Sequence, residues 1–312
     1  MAEYKAIHGF TVQNRTSDPL ATGAANGTWA SGGAMPAARN SGIGEAGTQT
    51  ATLAFGGLPA PGVTLHYNGT AWSAPGNDLN SNRYTMGSFG IQTAAIGAGG
   101  DPGTVNLVEQ YDGSTWSNIT AVPTSRYFGG GFGTQGAAVI VGGYSTVPSV
   151  GQKDITNEWN GSAWSLGGTL PAGQSNFAAD GCGTETAGLV AGGIPGPYTV
   201  TAEYNGSSWT AVPGSLNSPR TAGASFGVQT AAIAATGDIP SGYPLTSESY
   251  DGSAWTTTNP TIYGGYGAAA AGTQTAGLHA GNAPPGGTTS QTWDGTNWST
   301  NPSYTTARYE MG

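Results

Sequence analysis

The run Tyr204-Asn205-Gly206-Ser207-Ser208-Trp209 is followed by ten loop residues, Arg220, a Gly-rich stretch and Gln229-Thr230-Ala231-Ala232, and the unit ends at Gly237. It recurs along the chain. Trp29, Trp72, Trp116, Trp164, Trp209, Trp255 and Trp298 stand 43 to 48 residues apart, and Gln49, Gln92, Gln135, Glu185, Gln229 and Gln274 keep step with them. A period in the forties, punctuated by Trp and Gly-Gly, predicts repeats that bury their apolar faces only by stacking on one another.

The expected fold is all-β: a six-bladed β-propeller of four-stranded blades over residues 27–312, preceded by a short attachment segment or linker at residues 1–26. In the first blade the strands are expected at 41–47, 50–55, 63–67 and through Trp72. Equivalent sets begin at Arg83, Arg126, Asn176, Arg220 and Gly265. The innermost runs, 87–90, 129–133 and 265–271, are rich in Gly and Ala because strands converge at the axis. Second strands such as Ala137-Ala138-Val139-Ile140-Val141 are almost wholly apolar, as strands buried between blades should be.

Between third and fourth strands stands Asn-Gly (68, 160, 205) or Asp-Gly (112, 251, 294), which predicts a two-residue type I′ hairpin. That register makes Tyr67 and Trp72 diagonal neighbours, as it does Tyr111/Trp116, Trp159/Trp164, Tyr204/Trp209, Tyr250/Trp255 and Trp293/Trp298. An aromatic pair in every copy reads as packing between blades, not as a sugar-stacking stripe. Trp29 is a seventh copy, so either its segment or that of Trp298 should pair beside the third strand of the closing blade, near residues 289–293. The other, with residues 1–26, should face a neighbouring component.

Composition narrows the partners. Only 8% of residues are charged, the net charge is −9, and the eight Lys plus Arg form no stripe, which argues against nucleic acid, where phosphate contacts dominate affinity. No apolar run approaches the length of a membrane span, and residues 1–10 lack the apolar core of a signal peptide. Cys182 is alone, which removes a disulfide framework. Asn68-Gly69-Thr70 and Asn205-Gly206-Ser207 read as turns, not glycosylation sites.

Gly-Gly after the second strand, an aromatic before the turn, Trp closing the fourth strand and Arg opening the next blade together resemble kelch repeats across residues 27–312. The variant with Gly-Thr-Gln-Thr-Ala and Tyr-Asn-Gly-x-x-Trp, together with Tyr4-Lys5-Ala6-Ile7 and Gly9-Phe10-Thr11-Val12-Gln13, is similar to repeat proteins encoded by marine tailed bacteriophages. That resemblance implies a structural protein of the virion or tail, located on the particle and otherwise cytoplasmic. The chain departs from the kelch pattern in its low charge and at Asn176 and Gly265.

Candidate chemistry is sparse, and no cofactor is expected. His8, His66 and His279 lie in unrelated places, unlike the converging ligands of a copper oxidase. The stretch Ser249-Tyr250-Asp251-Gly252-Ser253-Ala254-Trp255 is similar to the Asp box of sialidases but lacks the residue between Asp and Gly. Asp78, Asn80 and Asn82 have the alternating oxygen pattern of a Ca²⁺ loop without its Gly and Glu. In-register Arg39, Arg83, Arg126, Arg220 and Arg308 are expected to bond loop carbonyls at the blade entrances. An axial cage of these five is the functional alternative, and Arg83, Arg126 and Arg220 are candidate binding residues of the loop face.

Differences between repeats are more telling. Each unit spans 19 to 21 residues from Trp to Gln or Glu, but 11 to 17 from Gly-Gly to the turn Asn or Asp, so variation collects in the loop joining strands two and three. These loops share a face with the blade-opening segments and carry Tyr144, Tyr198 and Tyr243 as candidate ligands; mounted loops are where binding resides. The expectation is a non-enzymatic virion module that displays a variable face, for a host-surface glycan, and attaches to other virion proteins through residues 1–26. The alternative is an intracellular kelch-type adaptor.

Overall fold

The computed structural model describes residues 35–36, 40–48, 50–103, 105–127, 129–146, 150–175, 177, 179–196, 198–281 and 287–303, with the backbone alone at 40–43 and 179–181. Blade 1 comprises β1 (Asn40–Thr48), β2 (Ala51–Leu58), β3 (Thr64–Tyr67) and β4 (Trp72–Ser73). Blade 2 comprises β5 (Gly87–Ile91), β6 (Ala94–Ala98), β7 (Val108–Tyr111) and β8 (Trp116–Ile119). Blade 3 is β9 (Gly130–Gly133), β10 (Ala138–Val141), β13 (Thr156–Trp159) and β14 (Trp164–Leu166), with β11 (Tyr144–Ser145) and β12 (Gly151–Gln152) as a hairpin inside its long loop. Blade 4 is β15 (Ala179–Thr184), β16 (Ala187–Ala191), β17 (Thr201–Tyr204) and β18 (Trp209–Ala211). Blade 5 is β19 (Ala224–Val228), β20 (Ala231–Ala235), β21 (Ser247–Tyr250) and β22 (Trp255–Thr257); blade 6 is β23 (Ala269–Thr273), β24 (Ala276–Ala280), β25 (Ser290–Trp293) and β26 (Trp298–Thr300).

All six are four-stranded antiparallel sheets, and the described residues contain no helix. Successive innermost strands β1, β5, β9, β15, β19 and β23 touch in turn, and residues of β1, β5, β9, β15 and β23 line one axial cavity of about 690 Å³. This is the six-bladed propeller expected. Among the described residues the core divides into five clusters, each at a seam between consecutive blades. At the seam of blades 3 and 4, for example, Phe132, Val139 and Val141 meet Val190, Tyr204 and Trp209.

The seams are stitched by polar atoms as well. The repeat Gln reaches across to the preceding blade: Gln92 Nε2 donates to the carbonyls of Thr52 and Tyr67, Gln135 Nε2 to those of Ala95 and Tyr111, and Gln229 Nε2 to those of Gly188 and Tyr204. The Trp116, Trp209 and Trp255 indoles donate to the hydroxyls of Thr64, Thr156 and Thr201, again one blade back. Tyr204 and Tyr250 hydroxyls donate to Glu158 and Glu203 of the preceding blades, and Tyr111 shares a 2.7 Å hydrogen bond with His66 Nε2. Both the indole and the amide thus end on acceptors that an apolar seam would otherwise leave unpaired.

Two expectations need correction. The turn between third and fourth strands is a four-residue loop, not a two-residue one: Tyr67 lies directly opposite Trp72, and Tyr204 opposite Trp209. The Asn or Asp side chain makes the turn, because Asn205 Oδ1 accepts from the backbone N–H of Ser207 and Ser208, as Asp251 Oδ1 does from Ser253 and Ala254. Only the Gly then needs positive φ, 88° to 95° in the six copies. At Asp112 the N–H groups of Thr115 and Ser114 hold the carboxyl down at about 2. The aromatic pairs are therefore directly cross-strand, with ring centroids 4.9 to 5.4 Å apart.

The second correction concerns the opening of blade 4. The backbone N–H groups of Gly57, Gly100 and Gly193 donate to the carbonyls of the openers Arg83, Arg126 and Arg220, and Gly143 N–H donates to Gln174, so Gln174 and not Asn176 holds that register. Asn176 itself lies outside the described residues. Gly265 does take the place expected of it, accepting from Gly237 N–H. Of the two candidates for closing the last blade, the Trp298 segment pairs beside β25, with Trp298 opposite Trp293. Trp29, Gln49, Arg39, Arg308 and residues 1–26 lie outside the described residues. No described helix is long and apolar enough to cross a membrane.

Candidate functional site

The arginines bond loop carbonyls as expected, and the axial cage, their functional alternative, is not what Arg83, Arg126 and Arg220 build. Arg83, Arg126 and Arg220 are 1%, 2% and 0% exposed, and each guanidinium turns into its own blade. Arg83 Nη1 donates to the carbonyls of Gly99 and Leu107, Arg126 Nη1 to those of Gly142 and Ile155, and Arg220 Nη1 to those of Thr236 and Thr246. The second nitrogen of Arg83 pairs with Glu109 at 2.9 Å and that of Arg220 with Glu248 at 2.8 Å, while Arg126 bonds the neutral Asn157. Without a carboxylate partner, burial brings Arg126 down to about 10. These side chains fasten the root of each variable loop to its blade; they form no axial cage and reach no ligand on the open face.

The carboxylates in those pairs are saturated. Glu109 also accepts from the backbone and amide nitrogens of Asn80 and from Ser81 N–H, and Glu248 receives the same donors from Asn217 and Ser218. Asn80 is thereby committed to blade 2, and Asp78 Oδ1 accepts from Thr64 N–H. Asp78 and Asn80 are thus drawn to separate partners, and among the described residues no group of three or more His, Cys, Asp or Glu is placed to hold a metal ion. His66 and His279 stand in blades 1 and 6, and His8 lies outside the described residues.

The proposed tyrosines occupy three different loops of the face opposite the Gln-Thr turns. Tyr144 sits in the inserted hairpin, with its ring 5.5 Å from that of Tyr127 and tilted by 57°. Tyr243 pairs with Tyr266 at 5.8 Å, and Tyr198, at φ 63°, lies over Gly196. Each stands with its own neighbours. Sequence reasoning missed Tyr84, Tyr127 and Tyr266, although the first two directly follow a blade-opening Arg. Backbone bridges join Tyr84 to Asp101 and Tyr127 to Tyr144, pinning these residues to the loop of their own blade.

The face is uneven. Around blades 2 and 3 it offers phenols, the carboxylates of Asp101 and Asp154, and Leu107 and Val150 at 37% and 72% exposure, whereas at blades 5 and 6 Tyr243, Leu245 and Ile262 are 43%, 46% and 42% exposed. At the turn end of the axis, the cavity holds a single described carboxylate, Glu45, among Thr48, Thr52, Ser88 and glycines, and burial pushes it up to about 7. What the fold and this face define is a β-propeller with a rigid ring and differing loops on one side. The chain matches no protein-family model and no curated protein.

Proposed function

We propose that the chain is a non-enzymatic structural protein of a tailed-bacteriophage virion, built of kelch-like repeats, whose loop face recognises a host-surface glycan and whose residues 1–26 attach it to other virion proteins. One observation carries this reading. Repeat-to-repeat variation in length falls between Gly-Gly and the turn Asn or Asp, in the loops of one face, while the Gln and Asx turns opposite recur with little change. A scaffold that keeps its ring constant and varies one rim is suited to recognition by loops. The resemblance of Gly-Thr-Gln-Thr-Ala and Tyr-Asn-Gly-x-x-Trp to marine phage repeat proteins supports the particle as its location. A chain with 8% charged residues and abundant hydroxyls and amides suits a neutral polyol better than nucleic acid.

Mass spectrometry and cryo-EM of purified particles test the location, and deletion of residues 1–26 tests the attachment. The truncated chain should fold as a soluble ring and fail to incorporate; normal incorporation, or absence of the full chain from particles, overturns the reading. The exposed Tyr243, Leu245 and Ile262 favour the adaptor as a second reading, since apolar and aromatic anchors mark protein interfaces. It would gain from a cellular protein that copurifies with the chain in the absence of particles and is lost on Leu245→Ser.

A further inference from the structure

On the loop face between blades 2 and 3, four partly exposed side chains from four separate segments come together. Tyr84 and Tyr127 follow the two blade-opening arginines, and Asp101 and Tyr144 stand in the loops that leave β6 and β10. Tyr84 hydroxyl donates to Asp101 Oδ2 at 2.5 Å. Tyr127 packs its ring on that of Tyr144, and its phenol, already pushed up by burial, is raised further by Tyr144 and by the Asp101 carboxylate. The hydrogen bond to Asp101 likewise raises Tyr84. The backbone bridges Tyr84 to Asp101 and Tyr127 to Tyr144, with N–H···O distances of 2.8 to 3.0 Å, hold the group in place before any ligand arrives. Arg83 and Arg126 are turned inward, and Lys153, beside the Gln152 that pairs with Tyr144, is 9% exposed.

We infer that this cluster is a binding site for a neutral hexopyranose, with Tyr127 and Tyr144 as the stacking ledge and Asp101, alongside its bond to Tyr84, as an acceptor of a ring hydroxyl. A sugar ring presents C–H groups on one face and hydroxyls at its edge, and the cluster offers partly exposed aromatic rings and a carboxylate on neighbouring segments. Asp101 repels sialate, phosphate and other anions. An ammonium ion would be gripped best by ring faces closing from several sides. Here Tyr127 and Tyr144 pack on each other at 57° and are both partly exposed, two rings and not a cage. The inference rests on reading the loop face as the recognising surface.

Saturation-transfer NMR and calorimetry on the full chain, with methyl glycosides of the common neutral hexoses, choline and sialyllactose as probes, decide it. At least one neutral hexoside should bind in the millimolar range. Asp101→Asn and Tyr144→Ala should each weaken it about tenfold or more, whereas Val228→Ala, at an exposed position on the opposite, turn-bearing face, leaves it unchanged. Far-ultraviolet circular dichroism checks each fold, and Tyr127→Ala stands in for Tyr144→Ala if the latter unfolds. Failure of every neutral hexoside, binding indifferent to Asp101→Asn, or preference for choline or sialyllactose overturns the site. Absence of the chain from particles would overturn the virion reading without altering the titration, and a chain present in particles that binds no hexoside sinks the site alone.

Discussion

At the scale of single residues, one position of the third strand dictates the residue that opens the blade. Glu109 and Glu248 face Arg83 and Arg220, Asn157 faces Arg126, Ala202 goes with Gln174, and Gln291 goes with Gly265, whose missing side chain is replaced by the contact of Gln291 with His279. A guanidinium with no solvent exposure needs a carboxylate or amide, because an unpaired buried charge costs several kcal/mol; where Ala202 offers neither, the opener carries no charge. Glu248→Ala should therefore destabilise the ring by about 3–5 kcal/mol. Adding Arg220→Gln, which recreates the pair of blade 4, should recover most of that in urea unfolding. A double variant no more stable than the single one would refute the coupling. A second prediction concerns Glu185, which stands where Gln92, Gln135 and Gln229 donate across the seam. A carboxylate has no N–H to give, so Glu185→Gln should stabilise by about 1 kcal/mol, and an unchanged urea midpoint would count against the clamp.

At the scale of elements, the seams work by matching large side chains with absent ones. A Cβ on Gly188 of β16 would come within 2.2 Å of Phe132 Cζ in the preceding blade, and one on Gly277 of β24 within 2.2 Å of Phe226 Cζ. Ala232 holds the same register in β20 and shares its seam with the smaller Cys182. Gly188→Ala should thus force Phe132 off its site and cost about 1–3 kcal/mol, read as a lower melting temperature; a neutral result would show that the seam yields. The sequence made the strands legible because Trp, Gly-Gly and the apolar second strands repeat in register. The turn was misread because Asn-Gly serves a type I′ pair and an Asx-stabilised loop equally well. What decides between them is the capture of the next two N–H groups by the side-chain oxygen, which dipeptide preference does not encode. Blade 4 was misaligned at Asn176 because its opener is Gln174, and the cue was an Arg. Tyr144 and Tyr243 were visible as loop residues of unequal repeats. Tyr84, Tyr127 and Asp101 were not, since their meeting depends on backbone bridges between segments far apart in sequence. The inward turn of Arg83, Arg126 and Arg220 was expected as a loop-carbonyl role, but their depth depends on packing that spacing alone does not fix.

At the scale of the whole molecule, one buried titratable group and one half-buried in the axial cavity set opposing pH dependences on the ring. His279 of β24 has no solvent exposure, contacts Gln291 and Thr236, and is brought by burial from its ordinary 6.5 down to about 4. The unfolded chain therefore binds its proton more readily, so the stability tied to His279 is fully present above pH 6.5 and is lost as pH falls toward 4. That gap corresponds to about 3 kcal/mol. Glu45 is raised by burial from 4.5 to about 7, which reverses the sign: its contribution is present below pH 4.5 and is lost as pH rises toward 7. Water in the axial cavity reaches Glu45, so its slope should be the shallower of the two. Because the windows overlap, the intact chain should show a muted change over the shared range. Glu45→Gln should unmask a stability that rises with pH between about 4 and 6.5, and His279→Gln one that falls between about 4.5 and 7. Urea midpoints of the intact chain and both variants across this range isolate each group by difference, whatever the remaining carboxylates contribute. If the Glu45→Gln profile runs parallel to that of the intact chain, Glu45 titrates as a solvated group and the axial cavity does not hold it apart from water.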